Sequence, residues 1–204
     1  LVNGKARFKY AQEALTAFVN KIKFNGETRV ILTTFAGDFE VSTPWTNDPK
    51  VITDTLSKMQ PTTVTNYVIP FENEGSTIYD LFAQRPPSIP RYVFFLTDGH
   101  PNPTIPNEIK FINENVPKLQ QNGIRFFSVT LMEPFTHVTL ESFAKATGGK
   151  AIVAKESELV DLFNYLALET QIREICQLSW ISPYACREDA RNRTAVVRLN
   201  KFNN

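Results

Sequence analysis

Long apolar runs, histidine and the common catalytic motifs are scarce in this 204-residue sequence. The most hydrophobic stretch, Tyr92–Leu96, is only five residues long, whereas a membrane-spanning helix needs about 20. The two histidines, His100 and His137, do not stand at metal-ligand spacing from each other or from a cysteine. The sequence contains neither a G-x-S-x-G nucleophile elbow nor a phosphate-binding glycine loop. We therefore predict a protein that is not an enzyme and has no membrane span in this chain.

Charge of neither sign is in excess. The chain has 22 Lys and Arg against 21 Asp and Glu, which gives a formal net charge of +1. Because nucleic-acid binders carry a basic excess, we predict no nucleic-acid partner. The hydrophobic share of 42% excludes intrinsic disorder, and the length suits one domain with a short appendage.

Cysteine is nearly absent, and both cysteines fall in the last segment. Cys176 and Cys186 are ten residues apart, and a disulfide between them would stabilise the fold by about 3 kcal/mol. The alternative is a pair of free thiols in a reducing compartment. A disulfide would favour an extracellular or cell-surface protein.

Helix and strand patterns alternate along most of the chain. Apolar residues at three- and four-residue steps predict helices near 8–22, 48–59, 77–84, 109–121, 136–147 and 159–166. Apolar runs rich in β-branched and aromatic residues predict strands at 29–35, 91–97, 124–131 and 150–154, with a short antiparallel strand at 39–41. Such alternation predicts an α/β fold with a doubly wound, mostly parallel sheet flanked by helices.

The alternation stops after about residue 171. We predict one domain over residues 1–171 and a linker over residues 172–204. The linker holds both cysteines and a strand-like run, TAVVRL at 194–199, that would begin a following β segment.

A long loop over residues 60–76 interrupts the pattern. Loops of this length in compact domains are often functional. Its apolar residues Tyr67, Val68, Ile69 and Phe71 either form an exposed rim for a partner or pack the loop onto the domain.

Candidate ligand-binding residues lie where the predicted strands end. Asp98 follows the strand at 91–97, and Thr77 begins a helix. Because ligands of parallel sheets bind beyond the carboxyl ends of the strands, this hydroxyl and carboxylate suit a hard cation such as Mg²⁺. The alternative is that Asp98 belongs only to a turn and Thr77 is only a helix cap.

Further polar residues lie near these loops in the sequence. Asp38, Glu74 and Ser76 either supply oxygen ligands or partner contacts, or remain solvated, and His100 follows the Asp98 turn. We consider these four as partner-binding candidates.

Four segments, in this order, resemble those of von Willebrand factor type A domains. They are RVILTTFAGDFEV, GSTIYDLF, RYVFFLTDGHPN and ATGGKAIVAKESELVDLF, and the resemblance extends to about residue 170. It implies a Rossmann-like, doubly wound sheet and a metal-ion-dependent adhesion site. Thr77 and Asp98 match two of the three ligand positions of that site, and the metal would bind a carboxylate of a protein ligand.

The sequence departs from this family at its beginning. The first strand and its Asp-x-Ser-x-Ser motif are absent. That strand is central in the family's sheet, so two buried strand edges would lack partners unless upstream residues or another segment fill the position. The run at 194–199 would bury Arg198 there, which argues against it. Cation binding is therefore conditional on ligands that this chain does not supply.

We expect a non-enzymatic binding or adhesion module of an extracellular or cell-surface protein, acting through contact with a protein ligand. It would be part of a larger polypeptide or assembly. One alternative is a structural subunit of an extracellular assembly with a non-functional metal site. The other is an intracellular member of the fold that serves a macromolecular machine, and a disulfide between Cys176 and Cys186 would count against it.

Overall fold

The computed structural model describes residues 7–61, 64–131 and 136–171. Cys176, Cys186 and the strand-like run at 194–199 lie outside the described residues. The disulfide and the following β segment therefore stay predictions, as does the domain boundary at residue 171.

Helices and strands follow one another as the sequence predicts. In chain order they are α1 (Arg7–Lys21), β1 (Val30–Phe35), β2 (Phe39–Thr46), α2 (Pro49–Lys58), α3 (Ile78–Ala83), β3 (Arg91–Thr97), α4 (Glu108–Gln121), β4 (Ile124–Leu131), α5 (Val138–Thr147), β5 (Ala151–Ala154) and α6 (Leu159–Glu169). None of the helices in the described ranges combines the length and the apolarity needed to cross a membrane.

Local chemistry explains several of these boundaries. The side chain of Asp48 accepts a hydrogen bond of 2.9 Å from the backbone N–H of Lys50, and Pro49 occupies the first turn of α2. Gly123 has a φ of +63°, which allows the chain to turn from the end of α4 into β4. Strand β2 is longer than the predicted 39–41, because it continues through Pro44 to Thr46. Proline is tolerated at the edge of a sheet, where its missing N–H leaves no ladder bond unmade.

The strands form two separate sheets in the described part of the chain. Strands β3, β4 and β5 are parallel, with Arg91 opposite Ile124 and Ser128 opposite Ala151. Strands β1 and β2 form an antiparallel pair. The predicted doubly wound α/β fold is confirmed, but its sheet is divided, because no described strand lies between β1 and β3.

Apolar layers cover both faces of the parallel strands. Phe94 and Phe127 belong to the layer under α1, α2 and α6, whereas Phe95 and Phe126 belong to the layer under α3, α4 and α5. Successive strand residues thus point to opposite faces and are covered by helices on each side, as a doubly wound sheet requires.

Candidate functional site

Asp98 lies on a turn whose backbone accepts a hydrogen bond from a buried tyrosine. The turn follows the carboxyl end of β3, and the side chains of Asp98 and His100 are exposed. The hydroxyl of Tyr67, a residue only 1% exposed, donates a hydrogen bond of 2.6 Å to the carbonyl oxygen of Gly99. The hydroxyl of Thr97 donates to the same oxygen at 3.1 Å. The Asp98 carboxylate is therefore presented to solvent on a supported backbone.

The loop before α3 supplies that support. The backbone groups of Thr65 and Asn102 exchange two hydrogen bonds, of 3.3 and 2.8 Å, which join this loop to the segment after Asp98. Tyr67 and Phe71 are buried in the apolar layer under α3, α4 and α5. The alternative in which the loop packs onto the domain is thus confirmed for these two residues, and the expectation that they form an exposed rim is wrong.

Thr77 is the N-cap of α3. Its backbone N–H and its hydroxyl both donate to the carboxylate of Asp80, at 2.8 and 2.7 Å, and the N–H of Asp80 donates back to the Thr77 hydroxyl at 3.4 Å. The hydrogen bonds from the Thr77 side chain and backbone hold the pKa of Asp80 below its usual value. The predicted cap is confirmed, and the role of Thr77 as a cation ligand stays a prediction.

Three carboxylates, including that of Asp98, line the same cavity. Asp38, Glu40 and Asp98 line a cavity of about 490 Å³ between the ends of β1 and β3, together with Arg7. The sequence analysis proposed Asp38, in the turn before β2, and missed Glu40, the second residue of that strand.

The other candidates do not join this group. Of the described residues that line the cavity, none is Glu74, Ser76, Thr77 or His100. Glu74 is exposed, and the backbone carbonyl of Ser76 accepts a hydrogen bond of 3.2 Å from the Asn73 side chain. Their proposed roles as partner contacts stay predictions.

A histidine cluster that the sequence analysis missed lies beside the turn. The Nδ1 atom of His137 is 3.2 Å from a carboxylate oxygen of Glu108, although without hydrogen-bond geometry, and the Thr139 hydroxyl donates to that same oxygen. The His137 ring lies 5.9 Å from the His100 ring and 5.6 Å from the Tyr67 ring, centroid to centroid. Burial lowers the pKa of His137, Glu108 opposes that shift and His100 adds to it. His137 is therefore neutral near pH 7.

The described residues do not by themselves make up a cation site. No group of three or more His, Cys, Asp or Glu side chains in the described ranges is arranged to hold a metal ion. Mg²⁺ requires an octahedral set of oxygen ligands. Asp98 and Thr77 would supply two oxygens and one negative charge, and the hydroxyl of Thr77 already bonds Asp80. A cation at this face would need ligands from outside the described residues.

Residues 2–100 match the model of the von Willebrand factor type A domain family. The match contains both Thr77 and Asp98 and ends at His100, so it covers the site that the sequence and the geometry indicate. The predicted resemblance is thereby confirmed, whereas no curated protein matches the sequence significantly.

Solved structures of other proteins share the fold. A von Willebrand factor type A protein from Catenulispora acidiphila superposes with a TM-score of 0.60 at 13% identity, over 80% of this chain and 38% of its own. Proximal thread matrix protein 1 from the mussel byssus, solved with zinc in its MIDAS motif, gives a TM-score of 0.55 at 15% identity, over 82% and 44%. BatB from Bacteroides thetaiotaomicron gives 0.56 at 14% identity, over 81% and 87%. The chain thus spans about two fifths of the first two proteins.

Proposed function

We propose that this type A domain is a non-enzymatic protein-interaction module, and that its binding face surrounds Asp98. The observation that carries this proposal is the exposed Asp98 carboxylate on a backbone fixed by the buried Tyr67 hydroxyl. A charged group that is exposed but rigidly supported loses little conformational entropy when a partner binds. The neighbouring carboxylates of Asp38 and Glu40 extend the same face.

Cation dependence is a conditional part of the proposal. The zinc-occupied MIDAS motif of the mussel byssus protein supports it by analogy of fold. In this chain Asp98 would supply the carboxylate ligand to Mg²⁺ or another divalent cation, and the remaining oxygens would come from residues outside the described ranges. A carboxylate of the protein ligand would then complete the coordination.

An adhesive role at the cell surface or outside the cell follows from this proposal. The alternative is a structural subunit of an extracellular assembly, in which the domain is a scaffold and the metal site does not function. The incomplete ligand set among the described residues favours that alternative. The two roles differ in whether Asp98 is needed for binding.

The effect of Asp98→Ala on partner capture tests the proposed face. We expect the immobilised chain to retain at least tenfold less of its protein partners from an extract of the source organism, since one desolvated charge contact at an interface is worth about 2 kcal/mol or more. The matched control is Glu27→Ala. Glu27 is an exposed carboxylate just before the start of β1, whereas Asp38 of the proposed face follows the end of that strand. Bound proteins are measured by quantitative mass spectrometry, with and without a chelator.

The outcomes separate the two roles. Asp98 is exposed, so neither variant should change the free energy of unfolding by more than about 0.5 kcal/mol. Equal capture by the Asp98→Ala and Glu27→Ala variants would contradict the proposed face and favour the scaffold. Loss of capture in the chelator as well would add the cation to the proposed mechanism.

A further inference from the structure

The starts of two helices bring a histidine and a carboxylate together beside the Asp98 turn. Glu108 is the first residue of α4, and His137 is the N-cap of α5. The Nδ1 atom of His137 lies 3.2 Å from Oε1 of Glu108, and the two side chains are 18% and 31% exposed. Imidazole nitrogen and carboxylate oxygen are both common ligands of zinc. This partly buried pair therefore has the chemistry of a transition-metal site.

The contact between these two atoms is not an ordinary hydrogen bond. Nδ1 of His137 is buried and has no hydrogen-bond partner among the described residues. An ion pair with Glu108 would need a protonated ring, but burial lowers the pKa of His137. A lone pair on the neutral ring would face the carboxylate oxygen, which is costly unless a cation lies between them.

The spacing of the pair matches one edge of a zinc coordination sphere. Zinc binds histidine nitrogen and carboxylate oxygen at about 2.0–2.1 Å in tetrahedral geometry, so neighbouring ligand atoms lie about 3.3 Å apart. The separation of 3.2 Å between Nδ1 of His137 and Oε1 of Glu108 is close to that value. A zinc ion would therefore satisfy both atoms at the separation that they already have.

His100 can supply a third ligand from the turn. Its ring centroid lies 5.9 Å from that of His137. A metal bound by one ring nitrogen lies about 3.2 Å from the ring centroid, so two imidazoles on one ion span up to about 6.4 Å. The three side chains do not converge on one point as they stand. The His100 side chain is exposed, and rotation about its side-chain bonds would bring it to the pair.

Two buried neighbours hold the first pair of ligands in place. The hydroxyl of Thr139, a residue that is 0% exposed, donates a hydrogen bond to Oε1 of Glu108. The ring of Tyr67 packs edge-on against that of His137, with 5.6 Å between centroids and 85° between planes. Outer contacts of this kind orient the ligands of metal sites and strengthen metal binding.

We infer that His100, His137 and Glu108 bind one divalent cation of the zinc type, with water in the fourth position. The ion would tie the Asp98 turn to the starts of α4 and α5. This site differs from a cation site at Asp98 and Thr77, because its nitrogen ligands select zinc-like ions over Mg²⁺. The inference holds whether or not Asp98 binds a protein partner.

Zinc titration of the 204-residue chain tests the site. The chain is prepared without a polyhistidine tag, freed of metal and titrated with Zn²⁺ against a chromogenic chelator in excess Mg²⁺. We expect one equivalent of Zn²⁺ to bind with a dissociation constant of about 1 μM or below. His100 and His137 are the only histidines of the chain, so NMR spectra of the ring nitrogens are simple, and zinc should shift the signals of both.

Conservative variants assign the ligands. His137→Gln, Glu108→Gln and His100→Ala should each weaken zinc binding at least tenfold, and the exposure of His100 means that His100→Ala should keep the fold. Thr139→Val removes only the hydroxyl that orients Glu108 and should weaken binding about tenfold. The matched control is Glu141→Gln. It removes an exposed carboxylate from the first turn of α5 and should leave the affinity for zinc unchanged.

The cysteines need a separate control, because thiolates also bind zinc. A chain that carries both Cys176→Ser and Cys186→Ser should bind zinc as tightly as the original chain. Loss of binding in that chain would assign the ion to the thiols and overturn the inference.

Three further results would overturn it. The first is a chain that binds no zinc in excess Mg²⁺ and whose histidine ring signals do not move. The second is loss of zinc binding in Asp98→Ala with retention in His137→Gln, which would place the ion at Asp98. The third is unchanged affinity in either His137→Gln or His100→Ala. None of these results depends on partner capture, so a failure of this site and a failure of the proposed binding face can be told apart.

Discussion

Replacing Phe71 with alanine is expected to lower the free energy of unfolding by about 3–5 kcal/mol, the usual cost of deleting a fully buried phenylalanine. Phe71 is 2% exposed and lies at the centre of an aromatic cluster. Its ring centroid is 5.0 Å from that of Phe143, 5.8 Å from that of Phe111 and 6.1 Å from that of Phe126. The truncation leaves a cavity between rings that belong to β4, α4 and α5, and such a framework relaxes only in part.

Chemical unfolding of the variant and of two controls measures this cost. Val64 belongs to the same loop but is 37% exposed, so Val64→Ala should cost no more than about 0.5 kcal/mol. Phe71→Leu keeps most of the buried volume and should cost less than Phe71→Ala. If Phe71→Ala were as mild as Val64→Ala, the loop would not be anchored as described. The turn at Asp98 would then lack the support given by Tyr67.

Gly149→Ala is expected to destabilise the protein by more than about 3 kcal/mol or to prevent folding. A Cβ atom on Gly149 would lie 1.8 Å from the carbonyl oxygen of Phe126 and 2.6 Å from its carbonyl carbon. Both atoms are backbone atoms of β4, which pairs with β3 on one side and β5 on the other. The clash therefore cannot be relieved by rotating a side chain, and a shift would disturb the ladders of the parallel sheet.

Two other glycines serve as controls for Gly149. Gly148 has a φ of +72° and no atom within 4 Å of a Cβ, so Gly148→Ala should cost about 1–2 kcal/mol through backbone strain alone. Gly37 has open space as well and no positive φ, so Gly37→Ala should be close to neutral. Unfolding midpoints in guanidinium measure all three variants. A Gly149→Ala variant as stable as Gly148→Ala would show that Gly149, in the turn after α5, does not approach β4 as closely as described.

Most of the fold could be predicted because each helix or strand has a pattern within its own segment of the sequence. The apolar runs at 91–97 and 124–131 have the same bounds as β3 and β4, because Pro90 and Gly123 flank them and strand composition fills them. Strand β2 was underestimated, since Pro44 and three short polar residues obscure its alternation. Its edge position, which tolerates the proline, depends on tertiary structure.

Contacts between distant segments could not be predicted in the same way. Tyr67 and Phe71 lie in a loop without hydrophobic periodicity, so their burial against β3 and α5 has no local signal. The approach of His137 to Glu108 joins residues from the starts of two helices, whose proximity follows only from the packing of α4 against α5. Asp98 could be identified as a candidate because the carboxyl end of a parallel strand is a general binding position.

Photo-crosslinking from position 100 tests the proposed binding face most directly. A photoreactive phenylalanine analogue replaces one of three residues. These are His100 beside Asp98, Glu27 just before β1, and Val153 on β5, which is 41% exposed. Each chain is irradiated in an extract of the source organism, and covalent adducts are identified by mass spectrometry. We expect a specific protein adduct from position 100 that the Asp98→Ala substitution abolishes, and no adduct from positions 27 and 153. Adducts from position 27 or 153 in place of position 100, or an adduct from position 100 that is unaffected by Asp98→Ala, would contradict the proposed binding face.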